Sequence, residues 1–468
     1  MKVGNTNLIP GIIHFVGIGG IGMSGIAEIM HAMKYNIQGS DISENKNVKR
    51  LQGKGIKVFI GHKKNNVKGV SSLVVSSAII DGNAELEEAK KNNIPIISRA
   101  KMLSELMNIK SPIVISGSHG KTTTTSLIGS ILEYANYDPT IINGGIINAY
   151  GTNTRMGNGK WIVVEADESD GTFCELPSIF SIVTNVDQEH LDYYKNNKKL
   201  EEAFKFFINK VPFYGAAIVC NDDPKVKKII SEIDNKHIIT YGFTDGSDLQ
   251  ATSMRYDSDF INFDIKISIK NYEKKILNNI KIPLAGKHNV LNALAAIVVA
   301  CKLNIDVSDI ISALKNFKGI ERRLTKVGKW NEILIIDDYA HHPTEIKSTL
   351  EALKDSLKPN RIIAIFQPHR YSRVKDLFEE FLDSFEMADY VVVSDIYAAG
   401  ENPIDGISKS TIVKKLNEKK KNAIELDNPD LLGSVLKKFL KKNDVVIFLG
   451  AGTSTNWAHS LKNKLETS

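Results

Sequence analysis

The stretch that decides the fold reads Ile113-Val114-Ile115-Ser116-Gly117-Ser118-His119-Gly120-Lys121-Thr122-Thr123-Thr124. Apolar β-formers enter a glycine turn, and the residues after Lys121 have the apolar spacing of a helix. This order is typical of a phosphate-binding loop, in which backbone N–H groups and the helix N-terminus surround phosphate oxygens. We therefore expect Lys121 to reach the terminal phosphates and the Thr122 hydroxyl to hold Mg²⁺. Only two residues separate the two glycines, so the prediction depends on the flanking strand and helix.

Size and composition indicate a soluble protein of several domains. The chain has 468 residues, which at about 150 residues per domain predicts three domains. Hydrophobic residues make up 42% and charged residues 24%, as in ordinary globular proteins. The net charge is +6, but its lysine runs lack interleaved aromatic residues, which favours a solvated surface over a nucleic-acid site. A mild positive field still favours small anionic substrates.

Cysteines and apolar segments predict a cytoplasmic location. The three cysteines, Cys174, Cys220 and Cys301, stand far apart, so neither a disulfide framework nor a zinc site is expected. The N-terminus is too polar for a signal peptide. The longest helical apolar stretch, residues 290–301, is too short to cross a bilayer.

The N-terminal region has a second glycine turn, after a predicted strand at residues 12–16. Gly17, Gly19 and Gly22 match G-x-G-x-x-G, and Asp41 follows. Such a turn suits a pyrophosphate at a helix N-terminus, which leaves NAD, a nucleotide-sugar or a turn without a ligand as alternatives. Ser76 and Ser77 end a later strand at the edge where open α/β sheets bind ligands.

Acidic residues follow two predicted strands of the central region. Residues 165–170 read Glu-Ala-Asp-Glu-Ser-Asp, and residues 185–190 end in His190. Clustered carboxylates repel unless a cation offsets their charge, and Mg²⁺ takes one or two carboxylates plus phosphate oxygens. The alternative is a pair of solvated acidic loops. Further on, Asn289 and Asn292 lie on one helix face, where they fit either an adenine edge or, for Asn289, a helix cap.

Two loops of the C-terminal region combine acids, histidines and arginines. Residues 337–345 follow one predicted strand and residues 367–373 the next. Arginine presents a planar fork to carboxylate or phosphate, and histidine binds oxyanions or moves protons. A purely structural role for both loops is not expected.

Alternation of strands and helices predicts an α/β protein of three domains, each around a mostly parallel sheet. The N-terminal domain (1–110) is expected to be Rossmann-like, the central domain (111–320) P-loop ATPase-like and the C-terminal domain (321–468) Rossmann-like. Strict alternation at residues 261–269 predicts a half-buried strand, with residues 276–282 as a hairpin partner.

The whole chain resembles the peptidoglycan-precursor amide ligases, in the branch that joins L-alanine to UDP-N-acetylmuramate. The resemblance rests on HFVGIGGIGMSGIAE, SSAI, GSHGKTTT, EADESDGTF, TN…EHLDYY, GKHNVLNALAA, DDYAHHPTEI, FQPHRYSR and YAAGENPIDG. The family usually has threonine where this chain has Ser118. The resemblance implies an ATP-dependent reaction with Mg²⁺, in which the muramate carboxylate is phosphorylated and the amine of L-alanine displaces phosphate. It also implies that domain closure gates turnover.

The resemblance also implies roles for individual residues. The metal ligands are Thr122, Glu165 and His190, and the catalytic residues are Lys121, His341, Arg370 and Arg373. The ATP-binding residues are Gly117, Ser118, His119, Gly120, Lys121, Thr122, Thr123, Asn289, Asn292 and Arg322. The UDP-sugar-binding residues are Gly17, Gly19, Gly20, Ile21, Gly22, Asp41, Ser76, Ser77 and Arg99. Lys205 lies in the region that corresponds to the carboxylated lysine of sister ligases, a feature that this branch typically lacks.

Three alternatives remain at this point. A sister ligase would act on a murein peptide or add a later amino acid, an NAD-dependent dehydrogenase would use the first glycine turn, and a nucleotide switch would turn over ATP alone. The expected partners are UDP-N-acetylmuramate and L-alanine as small molecules. We expect no nucleic-acid or membrane partner, and a monomer or weak homodimer.

Overall fold

A computed structural model describes residues 11–76, 78–80, 82–189, 191–234, 237–257 and 260–467. These residues form three sheets with helices between the strands, which confirms the predicted α/β class. They group into two compact units. The first comprises the described residues of Met1–Gln250, Lys266–Ile276 and Leu291–Leu314, and the second comprises those of Ala251–Ile265, Leu277–Val290 and Lys315–Ser468. Among the described helices, none is both long and apolar enough to cross a membrane.

The N-terminal sheet is fully parallel and has the strand order β3-β2-β1-β4-β5 over the described residues. These are five of the six strands of the doubly wound order 3-2-1-4-5-6, and the strand order reverses between β1 and β4. Its strands are β1 Ile12–Val16, β2 Ile37–Asp41, β3 Lys57–Ile60, β4 Val70–Val75 and β5 Ile96–Ser98. Its helices are α1 Ile21–Ala32, α2 Lys46–Gly53, α3 Ala84–Lys91 and α4 Arg99–Asn108, with a 3₁₀ helix at Lys64–Val67.

The central sheet has, in the described part of the chain, the order β15-β14-β13-β12-β11-β10-β6-β9-β7-β8. Strands β6, β9, β10 and β11 run parallel, whereas β8 is antiparallel to β7. The strands are β6 Ser111–Ser116, β7 Thr140–Ile147, β8 Thr152–Arg155, β9 Trp161–Glu165, β10 Phe180–Val183, β11 Ala216–Cys220, β12 Ile238–Gly242, β13 Leu249–Asp257, β14 Phe260–Ile267 and β15 Lys275–Ile282. The helices are α5 Lys121–Tyr134, α6 Leu191–Tyr194, α7 Asn197–Asn209, α8 Pro224–Ser231, α9 Lys287–Lys302 and α10 Val307–Lys315, with a 3₁₀ helix at Thr172–Cys174.

The C-terminal sheet has the order β16-β17-β21-β18-β19-β20 and is parallel except for the pair β16–β17. Its strands are β16 Thr325–Trp330, β17 Ile333–Asp338, β18 Ile362–Phe366, β19 Tyr390–Val393, β20 Asn422–Glu425 and β21 Val445–Leu449. Its helices are α11 Pro343–Leu357, α12 Tyr371–Asp376, α13 Phe378–Ser384, α14 Lys409–Glu418, α15 Leu432–Lys437 and α16 Ser454–Thr467, with a 3₁₀ helix at Pro429–Leu431.

Within the first unit, helix α1 packs against strands β7 and β8. A Cβ added to Gly25 would lie 2.3 Å from the Thr154 side chain, so only glycine permits this approach. The Asn153 amide donates to Ile21 O (3.0 Å), and Arg50 donates to Asn153 Oδ1 (3.3 Å). Because of these contacts, residues 11–110 and most of the predicted central domain form one unit. The three predicted residue ranges therefore remain a prediction.

Candidate active site

The phosphate-binding loop runs from the end of β6 into α5, as predicted. Gly117 and Gly120 have φ of 127° and 82°, in the region where glycine is favoured. A Cβ at Gly117 would lie 2.2 Å from Thr184 Oγ1, and one at Gly120 would lie 2.5 Å from Asn292 Oδ1. Both backbone conformation and crowding therefore require glycine at these two positions. Thr122 and Thr123, which follow the loop, are buried in the first turn of α5.

We expect Gly117→Ala to lower ATP turnover at least tenfold, because the new methyl group would displace the loop or the end of β10. Strain of this kind costs about 1–3 kcal/mol. Steady-state kinetics and thermal unfolding would measure both effects. Gly53→Ala is the matched control, since a Cβ at Gly53 meets nothing within 4 Å. Equal kinetics for the two variants would contradict the prediction.

Residues after β10 hold the loop in place. Asn185 Oδ1 accepts from His119 N (2.8 Å), and Thr184 Oγ1 donates to His119 O (2.6 Å). The Ser118 hydroxyl accepts from Asp187 N (2.8 Å), and His119 Nε2 lies 3.1 Å from Asp187 Oδ2. Ser118 and His119 thus link the loop to the neighbouring strand.

Lys121 lies against the acidic loop that follows β9. Its Nζ donates to Gly117 O (2.6 Å) and to Glu168 Oε2 (2.7 Å), and Glu168 is only 1% exposed. Burial opposes the charge on Lys121, but the carboxylates of Glu168, Asp167 and Glu165 outweigh it and raise the pKa of Lys121. The ammonium therefore stays charged and is held at the phosphate loop.

Glu165 and Thr122 bring oxygen ligands together at the first turn of α5. Thr122 Oγ1 donates to Glu165 Oε1 (3.1 Å), and Gly144 N donates to Glu165 Oε2 (2.7 Å). Hydroxyl and carboxylate oxygens are the donors that Mg²⁺ prefers, so these two residues fit the predicted ion. His190, the third predicted ligand, lies outside the described residues.

The two predicted adenine-side asparagines lie in the same helix, α9, and have different contacts. Asn292 Oδ1 accepts from Thr124 Oγ1 (3.2 Å), which places Asn292 beside the phosphate loop. The Asn289 amide donates to Ala285 O (2.6 Å), as a residue that stabilises the start of the helix would. Within the second unit, Asn289 also lines a cavity of about 240 Å³.

The N-terminal glycine turn is held by the end of β2. Gly19 N donates to Asp41 Oδ2 (2.8 Å), and Gly17 has φ of 80°. Ser76 lies at the same edge, since a Cβ at Gly17 would be 3.2 Å from Ser76 Cβ. The structure thus brings most of the predicted UDP-sugar residues together, whereas Ser77 lies outside the described residues.

Arg99 lies between the glycine turn and the acidic loop of the central sheet. A Cβ at Gly22 would be 3.4 Å from Arg99 Nη1, and Arg99 Nη2 is 3.8 Å from Asp170 Oδ2. Gly20 caps the start of α1, and Ile21, its first residue, is 54% exposed. The start of α1 therefore presents both an exposed side chain and a nearby cation.

The C-terminal loops form a basic and aromatic cluster in the second unit. The rings of His341 and His369 are 5.5 Å apart, and Tyr397 stacks on His369. Arg373 Nη1 lies 3.5 Å from His369 Nδ1, and Arg370 Nε donates to Glu401 Oε1 (2.6 Å). His341, Arg370 and Arg373 are thus brought together as predicted.

Arg370 has an uncommon backbone conformation, with φ of 69°, and Glu401 accepts both from its side chain and from Ser372 N (2.9 Å). Burial would raise the pKa of Glu401, but hydrogen bonds from Ser372 and the pairing with Arg370 lower it to about 2. The carboxylate therefore remains charged over the physiological range and orients the guanidinium.

Arg322 contacts Tyr339, whose ring lies next to that of His341 in the same cluster. It donates to Gly450 O, and its guanidinium lies over the Tyr339 ring, 4.8 Å from the centroid. Nearby, burial raises the pKa of Asp338 to about 6, against the charge of Arg323 and the N–H donors of Leu324 and Ala340. The hydrogen bond from Leu324 N to Asp338 connects residue 324 to the end of β17.

The lowered pKa of His369 predicts that the stability of the folded protein depends on pH. Burial, followed by His341, Arg373 and Arg370, lowers the pKa of His369 to about 4, against 6.5 for an ordinary histidine. As the pH falls, His369 therefore takes up a proton in the unfolded chain before it does so in the folded protein. The stabilisation by neutral His369 is complete above pH 6.5 and is lost as the pH falls toward 4. Because His369 is only partly buried and solvent screens its charge, the expected loss is about 1–2 kcal/mol, less than the full shift at about 1.4 kcal/mol per pKa unit would give.

We expect His369→Gln to flatten this pH dependence in urea unfolding at pH 7.5 and 4.5. His459→Gln, at an exposed position, is the control and should keep the wild-type slope. An unchanged slope in His369→Gln would rule out this histidine as the cause.

Sequence reasoning missed several residues that the geometry includes. Glu168 was one of four equivalent carboxylates, and only the fold selects it as the partner of Lys121. Tyr194 OH donates to Glu168 O (2.5 Å), and no motif marks that contact. Glu401 and Tyr397 both lie within the motif YAAGENPIDG, which was the available signal. Lys205, in the region where sister ligases have a carboxylated lysine, forms an ion pair with Glu232 (3.1 Å).

Family models match three consecutive parts of the chain. They are described as the Mur ligase family catalytic domain at residues 12–111, the Mur ligase middle domain at residues 115–300 and the Mur ligase glutamate ligase domain at residues 322–452. Together they cover most of the chain.

Individual proteins are similar over nearly the full length. A UDP-N-acetylmuramate–L-alanine ligase from Parvibaculum lavamentivorans is 50% identical over 97% of this chain and 93% of its own. One from Mesorhizobium japonicum is 46% identical over 98% of each chain. The crystal structure of UDP-N-acetylmuramate-alanine ligase from Thermotoga maritima has a TM-score of 0.81 at 28% identity, over 98% of this chain and 99% of that one.

Proposed function

This chain belongs to the Mur ligase family, and from that premise we propose that it joins L-alanine to the lactyl carboxylate of UDP-N-acetylmuramate at the expense of ATP. The relatives that are 46–50% identical have this activity in their names. Full-length similarity at that level favours this substrate pair over a murein-peptide substrate and over a dehydrogenase reaction.

One observation supports the reaction class above the others: Lys121 and Thr122 follow a glycine loop and face two carboxylates, Glu168 in the loop after β9 and Glu165 at the end of β9. A lysine at the loop neutralises the charge of the transferring phosphoryl group, and phosphoryl transfer depends mainly on positioning and charge. Glu165 and Thr122 would hold Mg²⁺, which when bound supplies further positive charge at the phosphate oxygens.

In the first step, a carboxylate oxygen of the muramoyl group attacks the γ-phosphorus of ATP. The P–O bond to ADP breaks, and an acyl phosphate and ADP result. Lys121 stabilises the charge on the moving group because it is held as an ammonium at the loop. Asn292, beside the loop, and Arg322 are proposed to contact ATP as well.

In the second step, the amine of L-alanine attacks the acyl carbon. A tetrahedral intermediate forms, phosphate leaves, and the amine loses a proton as the amide is made. Arg370 and Arg373 are proposed to bind the alanine carboxylate, since their guanidinium groups lie in one cluster with His341. Glu401 orients Arg370 for this contact.

The N-terminal glycine turn is proposed to bind the pyrophosphate of the UDP-sugar. Gly19 and Gly20 lie at the N-terminus of α1, where N–H groups favour an anion. Arg99 is 24% exposed at its side chain and lies beside Gly22, so it is placed to contact the same group. We propose the domain ranges 1–110 for the UDP-sugar, 111–320 for ATP and 321–468 for the amino acid, and a cytoplasmic location.

Phosphate release tests the proposal directly. Purified protein is incubated with ATP, Mg²⁺ and UDP-N-acetylmuramate, together with L-alanine, L-serine, glycine or a murein peptide. Release that requires both the UDP-sugar and L-alanine is the expected result. Release only with the peptide would assign a sister ligase, and turnover that ignores both the UDP-sugar and alanine would assign a nucleotide switch.

A further inference from the structure

A carboxylate is buried beneath the N-terminal sheet, away from the phosphate loop. Glu85, in α3, is fully buried and accepts from Ser40 Oγ (2.6 Å) and Asn66 Nδ2 (2.5 Å). His14 Nε2 is 3.4 Å from Glu85 Oε2, and His62 Nδ1 is 3.2 Å from the same oxygen. Four side chains from β1, β2, the loop after β3 and the following 3₁₀ helix therefore converge on one carboxylate.

This carboxylate is ionised. Burial would raise the pKa of Glu85, but the close contact with His14 and the hydrogen bonds from Ser40 and Asn66 lower it to about 2. A buried charge is retained only where donors surround it, and removing those donors or the charge disturbs the whole network. The arrangement is thus a fixed polar centre that the mechanism proposed above does not use.

The network reaches the glycine turn through two residues at the end of β2. The Ser40 side chain donates to Glu85, while Ser40 O accepts from Gly17 N and Ile18 N (both 2.9 Å). The next residue, Asp41, accepts from Gly19 N (2.8 Å). Three successive N–H groups of the turn are therefore held by Ser40, which donates to Glu85, and by its chain neighbour Asp41.

We propose that Glu85 is a positioning residue for the glycine turn, and that it sets the affinity for the UDP-sugar by fixing Ser40 and Asp41. The inference rests on the proposed function, because it assigns the turn to that substrate. A pyrophosphate site at the N-terminus of α1 depends on the direction of the first N–H groups of that helix. Ser40 O and Asp41 hold the turn that leads into the helix, so a small displacement of Ser40 would move Gly17 and Ile18 and, with them, the start of α1.

The test is Glu85→Gln. Its amide keeps the shape of the side chain but presents a donor where Ser40, Asn66 and Lys63 N already donate. We expect the KM for UDP-N-acetylmuramate to rise about tenfold, while kcat at saturating substrate and the KM for ATP stay within about twofold. Ser40→Ala adds no conflicting donor and should raise the same KM by a smaller factor. Glu87→Gln, at an exposed position of the same helix, is the matched control.

The outcomes separate the two proposals. Calorimetry of wild-type protein with UDP-N-acetylmuramate is done first, and absence of binding would overturn the proposed function. If wild type binds and folded Glu85→Gln and Ser40→Ala bind equally well, the positioning role is overturned. A fall in kcat with both KM values unchanged would also overturn it, because that pattern reports a smaller fraction of folded protein and no change in UDP-sugar affinity.

Discussion

Replacing Lys121 by alanine is expected to reduce ligation at least about 10³-fold, because the transferring phosphoryl group loses the cation that the loop holds for it. Binding of UDP-N-acetylmuramate should stay nearly intact, since the glycine turn at residues 17–22 and its partner Asp41 do not contact Lys121. Phosphate-release kinetics and calorimetric titration with the UDP-sugar measure the two effects. Loss of both together would mean that the division into two nucleotide sites is wrong.

Glu168 makes this variant informative about stability as well. Lys121→Ala removes the counter-charge 2.7 Å from a buried carboxylate, and breaking such a pair typically costs about 3–5 kcal/mol. We therefore expect a lower melting temperature for Lys121→Ala and a partial recovery in Lys121→Ala/Glu168→Gln, without recovery of ligation. Recovered ligation in the double variant would show that Lys121 acts only through Glu168.

Replacing Glu165 by glutamine is expected to raise the Mg²⁺ concentration for half-maximal activity by about 10–100-fold. The amide keeps one oxygen but loses the negative charge that attracts the cation, so kcat at saturating Mg²⁺ should fall too. The fold should persist, because one oxygen can still accept from Thr122 Oγ1 or Gly144 N.

Titration of Mg²⁺ at saturating ATP measures this effect. Glu175→Gln is the matched control, since Glu175 is an exposed carboxylate ten residues further on. The same Mg²⁺ dependence in both variants would assign the metal to other oxygens of residues 165–170.

Elements with a clear apolar pattern could be predicted from the sequence. Strand β1 begins and ends at the predicted residues, and β14 and β15 occupy the predicted hairpin region. The glycine turn before α5 was predictable because strand, glycine and helix signals agreed there. Local preference and global structure coincide at these elements.

Strand β2 could not be predicted from its apolar content. Its sequence is Ile-Gln-Gly-Ser-Asp, yet all five residues are buried. The reason lies in tertiary contacts: Gln38 donates to Asn66 O (2.8 Å), Ser40 to Glu85, and Asp41 accepts from Gly19. Buried polar side chains are tolerated when their partners are present, and those partners lie 22 to 45 residues away.

Some site residues could likewise be predicted from the sequence, whereas others could not. The loop, its lysine and the following acidic segment were recognisable as motifs, because their chemistry is local in sequence. The pairing of Lys121 with Glu168, and the hold of Glu401 on Arg370, depend on contacts across 47 and 31 residues. A pattern of residue types does not rank equivalent carboxylates, whereas their positions in the fold do.

The packing of α1 on β7 and β8 has a consequence for any attempt to produce the central region as a separate fragment. Strand β8 is the last strand at its end of the central sheet, and an uncovered terminal strand invites pairing with other polypeptides. A fragment starting at residue 111 would lack α1 and expose the buried side chains of Asn153 and Thr154. Such a fragment should self-associate. The N-terminal region therefore protects the central sheet from aggregation by covering its last strands.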